Sequence, residues 1–207
     1  MFSKELGAKL DKYHLLKHPF YQKYWNEGKL TREIIKDYAE QYYQHVKAFP
    51  RYISATHSIC EDLEKRKILL ENLQDEENKD GDHPKLWKNF AKAMGADEKE
   101  IENVKLDWFT KDMIDNFFSQ ARKSYAEGLA SLYTYERQIP EIAETKIQGL
   151  KKFYGVDTKE GLEFFEAHKS ADVIHRAECE KLLDGLSKEE QVKAEKASVL
   201  TLSLIHI

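Results

Sequence analysis

The sequence predicts an all-α bundle, and three observations carry that prediction. Prolines and glycines are scarce, four and nine in 207 residues, so few positions break a helix. Between them, apolar residues recur at steps of three and four. No stretch shows sustained period-two alternation, and no hairpin dipeptide joins two such stretches.

Taken in order, Leu6, Leu10, Tyr13 and Leu16 mark an amphipathic helix over 3–16, ended by His18-Pro19. Phe20, Tyr21, Tyr24 and Trp25 form a short aromatic helix closed by Gly28. Thr31 and Glu33 open a third, running through Tyr38, Tyr42, Tyr43 and Val46. Pro50 is expected to interrupt it before a fourth helix over 51–77. NKDGDHP at 78–84 reads as a polar turn, and Pro84 suits the first turn of the next helix. That helix carries Leu86, Trp87 and Phe90 to a stop at Met94-Gly95. A short acidic helix over 97–104 follows, then 110–137 and 140–154, separated by Pro140. Asp157 and Thr158 cap a long helix over 158–184. The result is a single helical domain over 1–207, with seven or more helices and no internal repeat or linker. The tail KASVLTLSLIHI differs in character. It reads either as a packing segment or, over Leu202 to Ile207, as a translated sequencing adapter on a chain that naturally continues otherwise. His206 is given no function.

Basic and acidic residues number 33 and 37, for a net charge of −4. That balance argues against nucleic acid and anionic membranes as partners. No apolar run approaches the roughly 20 residues of a membrane helix, and the N-terminus lacks the apolar stretch of a secretory signal. Cys60 and Cys179 fall in no metal-ligand spacing and make no disulfide framework. A cytoplasmic protein is expected.

The octapeptide HKSADVIH places His168, Asp172 and His175 on one helix. At about 100° per residue the last two lie roughly 40° and −20° round from the first, so all three leave by one face. Alone, such a face is equally a solvated surface. Glu76 and His83 stand seven residues apart across the polar turn, and Glu136 lies among Leu132, Tyr133, Tyr135 and Ile139. A carboxylate in such company is costly to bury unless paired or metal-bound, although an ordinary salt bridge would also satisfy it. Together these are three carboxylates and three imidazoles from three separated helical regions. Mixed carboxylate and imidazole ligation suits iron or manganese better than a zinc thiolate site. Six such side chains can hold two ions and leave positions open for dioxygen, as inward-facing ligands do in bundle di-metal sites. The ferritin-like Glu-x-x-His pair is absent from the chain.

From KHPFYQKYW to ECEKLL the chain resembles the haem-oxygenase-like di-metal oxidases, in particular their CADD-like branch. The segments FPRYISATHSIC, NLQDEEN, HPKLW, LYTYERQIPEIAETKIQGL and HKSADVIHRAE carry the resemblance. It implies a seven-helix haem-oxygenase-like bundle, related to the TenA and PqqC folds and without haem. It also implies an Fe/Fe or Mn/Fe centre that activates O2 on Glu76, His83, Glu136, His168, Asp172 and His175, fed by an external reductant. The branch is implicated in making para-aminobenzoate for folate, with a tyrosine of the protein supplying the ring and a lysine the nitrogen. The matching residues are Tyr21 and Lys146. From the residues themselves, Tyr21 reads equally as a core aromatic and Lys146 as a surface lysine. Tyr42, Tyr43, Tyr133 and Tyr135 compete for a place beside the site. Aromatic residues on the first three helices would suit a homodimer.

Two other function classes stay open. One is a cofactor-independent relative on the same fold, similar to thiaminase II or pyrroloquinoline-quinone synthase. Cys179, about 40° round the helix from His175, would be a cavity-facing nucleophile in the thiaminase case. The other is a non-enzymatic interaction protein.

Overall fold

Helix starts in this chain are written by side chains that satisfy the free N–H groups of a first turn. The Asp62 carboxylate accepts from the backbone of Glu64 and Lys65 at 2.9 and 3.2 Å. Asp82 accepts from Lys85 at 2.8 Å, and Asp97 and Glu100 form a reciprocal capping box. Thr31, Ser124 and Thr158 cap in the same way through their hydroxyls.

The computed structural model describes residues 1–79 and 81–205, and all regular structure among them is helical. The helices are α1 (Phe2–Leu10), α2 (Arg32–Ser58), α3 (Leu63–Glu76), α4 (His83–Ala93), α5 (Glu98–Asn103), α6 (Trp108–Lys123), α7 (Tyr125–Glu136), α8 (Ile139–Phe153), α9 (Lys159–Asp184) and α10 (Lys188–Ile205). The all-α expectation holds. The count exceeds seven because long segments divide and the tail forms a helix.

Several features differ from the sequence expectation. α2 runs through Pro50 and stops only at Ser58, so the helix expected over 51–77 is divided at 59–62, its first part belonging to α2 and the rest forming α3. A proline inside a helix costs about 3 kcal/mol. Here its neighbours Phe49, Tyr52 and Ile53 are locked into a core with Leu69, Phe117 and Leu132, and that packing prevails. The expected helix over 110–137 is broken at Ser124, whose extended backbone (φ −159°, ψ 160°) lets its hydroxyl cap α7. α1 ends at Leu10 and gives way to two short, tighter turns at Asp11–Tyr13 and Leu15–Lys17. The aromatic segment Phe20–Trp25 winds as one wide π-helical turn. The tail packs: Ala194, Ala197, Ser198, Thr201 and Leu202 of α10 are buried. His206 and Ile207 lie outside the described residues.

α7 is the axis of the bundle, with every residue from Ala126 to Glu136 buried. It is enclosed by α2, α6, α9 and α10. α2 approaches α7 tightly at Gly128, where a Cβ would collide with the Thr56 side chain and come 3.1 Å from the Ala121 Cα. No described helix is long and apolar enough to cross a membrane.

Replacing Gly128 with Val should therefore force α2 and α7 apart. Overpacking of this kind costs about 1–3 kcal/mol. A chain of this size should lose roughly 2–4 °C of melting temperature per kcal/mol, measurable by far-UV circular dichroism.

Candidate metal centre

The six polar residues singled out in the sequence converge. Glu76 closes α3, His83 opens α4, Glu136 closes α7, and His168, Asp172 and His175 share the inner face of α9. None is more than 6% exposed. They sort into two triads, Glu76/His83/His168 and Glu136/Asp172/His175. Within each, one N or O atom per residue lies within 4.8 Å of the others.

The first triad depends on the short link between α3 and α4. Asp82 starts α4 so that the His83 ring folds back and its Nδ1 lies 2.8 Å from Glu76 Oε2. The alignment is wrong for an N–H···O bond, so Nδ1 has no hydrogen-bond partner. His168 Nδ1 sits 2.8 Å from the Phe164 carbonyl one turn earlier, which leaves Nε2 facing Glu76 Oε1 at 4.0 Å. In the second triad His175 Nδ1 is 3.3 Å from Asp172 Oδ1, and Asp172 Oδ2 is buried without a partner. Asn72 donates to Glu136 Oε1 at 2.7 Å, and the Cys179 thiol donates to Oε2 at 3.6 Å.

This donor set fits metal ions. Two ligand atoms each about 2.1 Å from a shared ion at right angles stand roughly 3.0 Å apart, close to the 2.8 and 3.3 Å separations here. An unpartnered buried nitrogen and oxygen are otherwise expensive.

Electrostatics follow from burial and pairing. Burial works against the charge on Glu76, but His83 and His168 hold its carboxyl below the usual range. Burial likewise opposes a charged His83, and Glu76 overcomes it and raises the imidazole. Burial and the nearby His83 lower His168. Burial pushes Glu136 up, and His175 is raised by Asp172 and Glu136 in spite of its burial. Protons thus stand where cations would sit.

His168 also lines a cavity of about 470 Å³, whose wall includes Tyr21, Tyr38, Tyr42, Tyr135 and Lys146. Tyr21 therefore belongs to both the core and the cavity. Lys146 is not a surface lysine: it is 5% exposed, and its Nζ donates to the Tyr38 hydroxyl. Its Nζ lies 4.3 Å from the Tyr38 ring centre and 5.7 Å from that of Trp87. Burial lowers its pKa to about 7. Of the competing tyrosines, Tyr42 and Tyr135 reach the cavity and share a 2.8 Å hydroxyl–hydroxyl bond. Tyr43 instead donates to Glu102 at 3.0 Å, and Tyr133 faces Glu180 at 3.4 Å. Cys179 is not on the cavity wall. It packs with Leu10 and Leu183 against Glu136, and burial raises its pKa far up, a poor setting for a thiolate nucleophile.

Sequence reasoning missed Tyr38, Asn72 and Asp75. Tyr38 and Tyr42 share a face at i, i+4, as do Asn72 and Glu76, so the spacing held a signal. Asp75 carries none, because it is more than half exposed and reaches His175 on a different helix.

A family model described as that of iron-containing redox enzymes matches residues 36–201. The chain belongs to this iron-containing redox enzyme family. It is 43% identical over 198 residues to a 4-aminobenzoate synthase of Chlamydia muridarum, covering 95% of this chain and 84% of that one. Among solved structures it resembles a TenA homologue of Pseudomonas syringae pv. tomato, at a TM-score of 0.85 and 16% identity over 100% of this chain and 90% of the other. A CADD-like protein of Nostoc punctiforme aligns at a TM-score of 0.77 and 16% identity, over 99% of this chain and 94% of that one. The haem-oxygenase-like, TenA-like fold expected from the sequence is thus the fold of this iron-containing redox enzyme.

The Lys146 amine gives a stability signature. Between about pH 7 and the ordinary lysine range, the unfolded chain holds a proton that the folded chain lacks, so stability rises with pH through that window. Lys146→Met removes this dependence. The metal-free variant should melt a few degrees above the parent, with a larger gain near pH 6 than near pH 10. Equal gains at both would contradict a buried neutral amine.

Proposed function

We propose that this chain makes 4-aminobenzoate in an O2-dependent reaction at an Fe/Fe or Mn/Fe centre. In this reading the Tyr21 ring and the Lys146 nitrogen become the product. The observation that carries it is the cavity: His168, Tyr21 and Lys146 share one wall. The 43% identity to a 4-aminobenzoate synthase supports the choice of product.

Glu76, His83 and His168 would hold one ion, and Glu136, Asp172 and His175 the other. The bound pair supplies oxidising power from O2. The remaining roles belong to side chains. Burial raises the pKa of Tyr21 and so keeps its phenol protonated. Burial also strips Lys146 of its proton near neutral pH, leaving a nitrogen lone pair for bond formation. The Tyr38 hydroxyl fixes where that lone pair points, and Trp87 and Phe165 close the amine off from water. The reading requires an external electron donor. A cofactor-independent reaction would leave unexplained the unpartnered atoms of His83 and Asp172.

Protein produced with iron and manganese should carry about two ions per chain. Stoichiometry below one, unchanged by His168→Ala, would remove the metal centre. Reduced, metal-loaded protein exposed to O2 should release at most about one 4-aminobenzoate per chain. Lysine labelled with heavy nitrogen should pass its label to the product, and Tyr21→Phe and Lys146→Arg should abolish release. Many turnovers on an added small molecule would refute self-supply and leave the oxidase intact.

A further inference from the structure

The two triads orient their α9 histidines by different means. His168 is held through Nδ1 by the Phe164 carbonyl of its own helix, a partner that no substitution removes. His175 is held from outside α9, because its Nε2 lies 3.1 Å from Asp75 Oδ2. The ring is 4% exposed, whereas the Asp75 side chain is 57% exposed and reaches in from α3. Asn72, one turn earlier on α3, donates to Glu136 of the same triad. α3 thus gives Glu76 to the first triad and two supporting side chains to the second.

A histidine ligand needs one nitrogen free of its proton, and the hydrogen bond at the other decides which one that is. With Nε2–H donated to Asp75, the lone pair falls on Nδ1, the atom that faces Asp172. We infer that Asp75 is a positioning residue that selects the Nδ1-ligating form of His175 and so governs the affinity of the second triad alone. This rests on the reading that each triad holds an ion. It also makes the two positions unequal. The first is oriented by backbone, and the second hangs on one solvent-facing carboxylate.

A half-exposed ion pair adds little to folding, whereas loss of a carboxylate behind a histidine ligand weakens metal binding by roughly 10–100-fold. Folding and binding therefore separate in the test. Metal-free Asp75→Ala and Asp75→Asn should melt as the parent does. Anaerobic titration with Mn(II) against a competing chelator should show two equivalents on the parent chain. Asp75→Ala should bind the first equivalent unchanged and the second about 10–100-fold more weakly. Asp75→Asn, which keeps an acceptor for Nε2–H and loses the charge, should fall between. Electron paramagnetic resonance at two equivalents should show a coupled Mn(II) pair in the parent and isolated Mn(II) in Asp75→Ala. Equal weakening of both equivalents, or no weakening, would overturn the role of Asp75. Fewer than two ions on the parent chain would sink the metal-centre reading and this inference with it. Two ions on the parent and two unchanged on Asp75→Ala would sink the inference alone.

Discussion

Six ionisable side chains buried in one helical interior are the constraint around which this molecule is built. An isolated buried charge costs several kcal/mol, and leaving one member of a buried pair alone costs about 3–5 kcal/mol. Each triad answers by setting acid against base: Glu76 against His83, and Glu136 with Asp172 against His175. The architecture follows from that need. α3 and α4 must join through a short, Asp82-capped turn so that His83 returns to Glu76. α9 must run unbroken past the site so that one face delivers three ligands. α7 must be central because it ends in Glu136, a carboxylate that only the interior reaches.

What the sequence revealed and what it hid divide along local and non-local physics. The spacing of His168, Asp172 and His175 is a property of one helix, and helical arithmetic alone placed them on one face. Glu136 showed itself because a carboxylate among tyrosines has to be compensated. Pro50 misled because the core around Phe49, Tyr52 and Ile53 comes from α3, α6 and α7, remote in sequence. Ser124 misled in the opposite sense: an unremarkable serine inside a periodic run becomes a cap once the chain turns there. Lys146 and Asp75 escaped for the same reason. The lysine is buried and the aspartate that orients a ligand is exposed, because both positions are decided by neighbours from other helices.

The cavity shows the same force producing the opposite result. Burial around the triads is opposed by pairing, since Glu76 lies beside His83 and Asp172 beside His175, and the acids raise both imidazoles. Burial around Lys146 removes charge, since its contacts are a phenol hydroxyl and aromatic faces. Tyr21, Tyr38, Tyr42 and Tyr135 are held protonated by desolvation in the same way. The interior is therefore one end of paired acids and bases and another of phenols and one amine, with His168 standing on the boundary.

That division is what a protein-derived nitrogen nucleophile requires. A lysine exposed to water at neutral pH is protonated and has no lone pair to use. A lysine beside the buried carboxylates would have its pKa raised by them, as His83 and His175 do. Only a position walled off from both water and the acids leaves the amine free, and α8 places Lys146 there. The aromatic wall is thus as much a part of the chemistry as the ligands. Any polar opening in it would return the proton to Lys146.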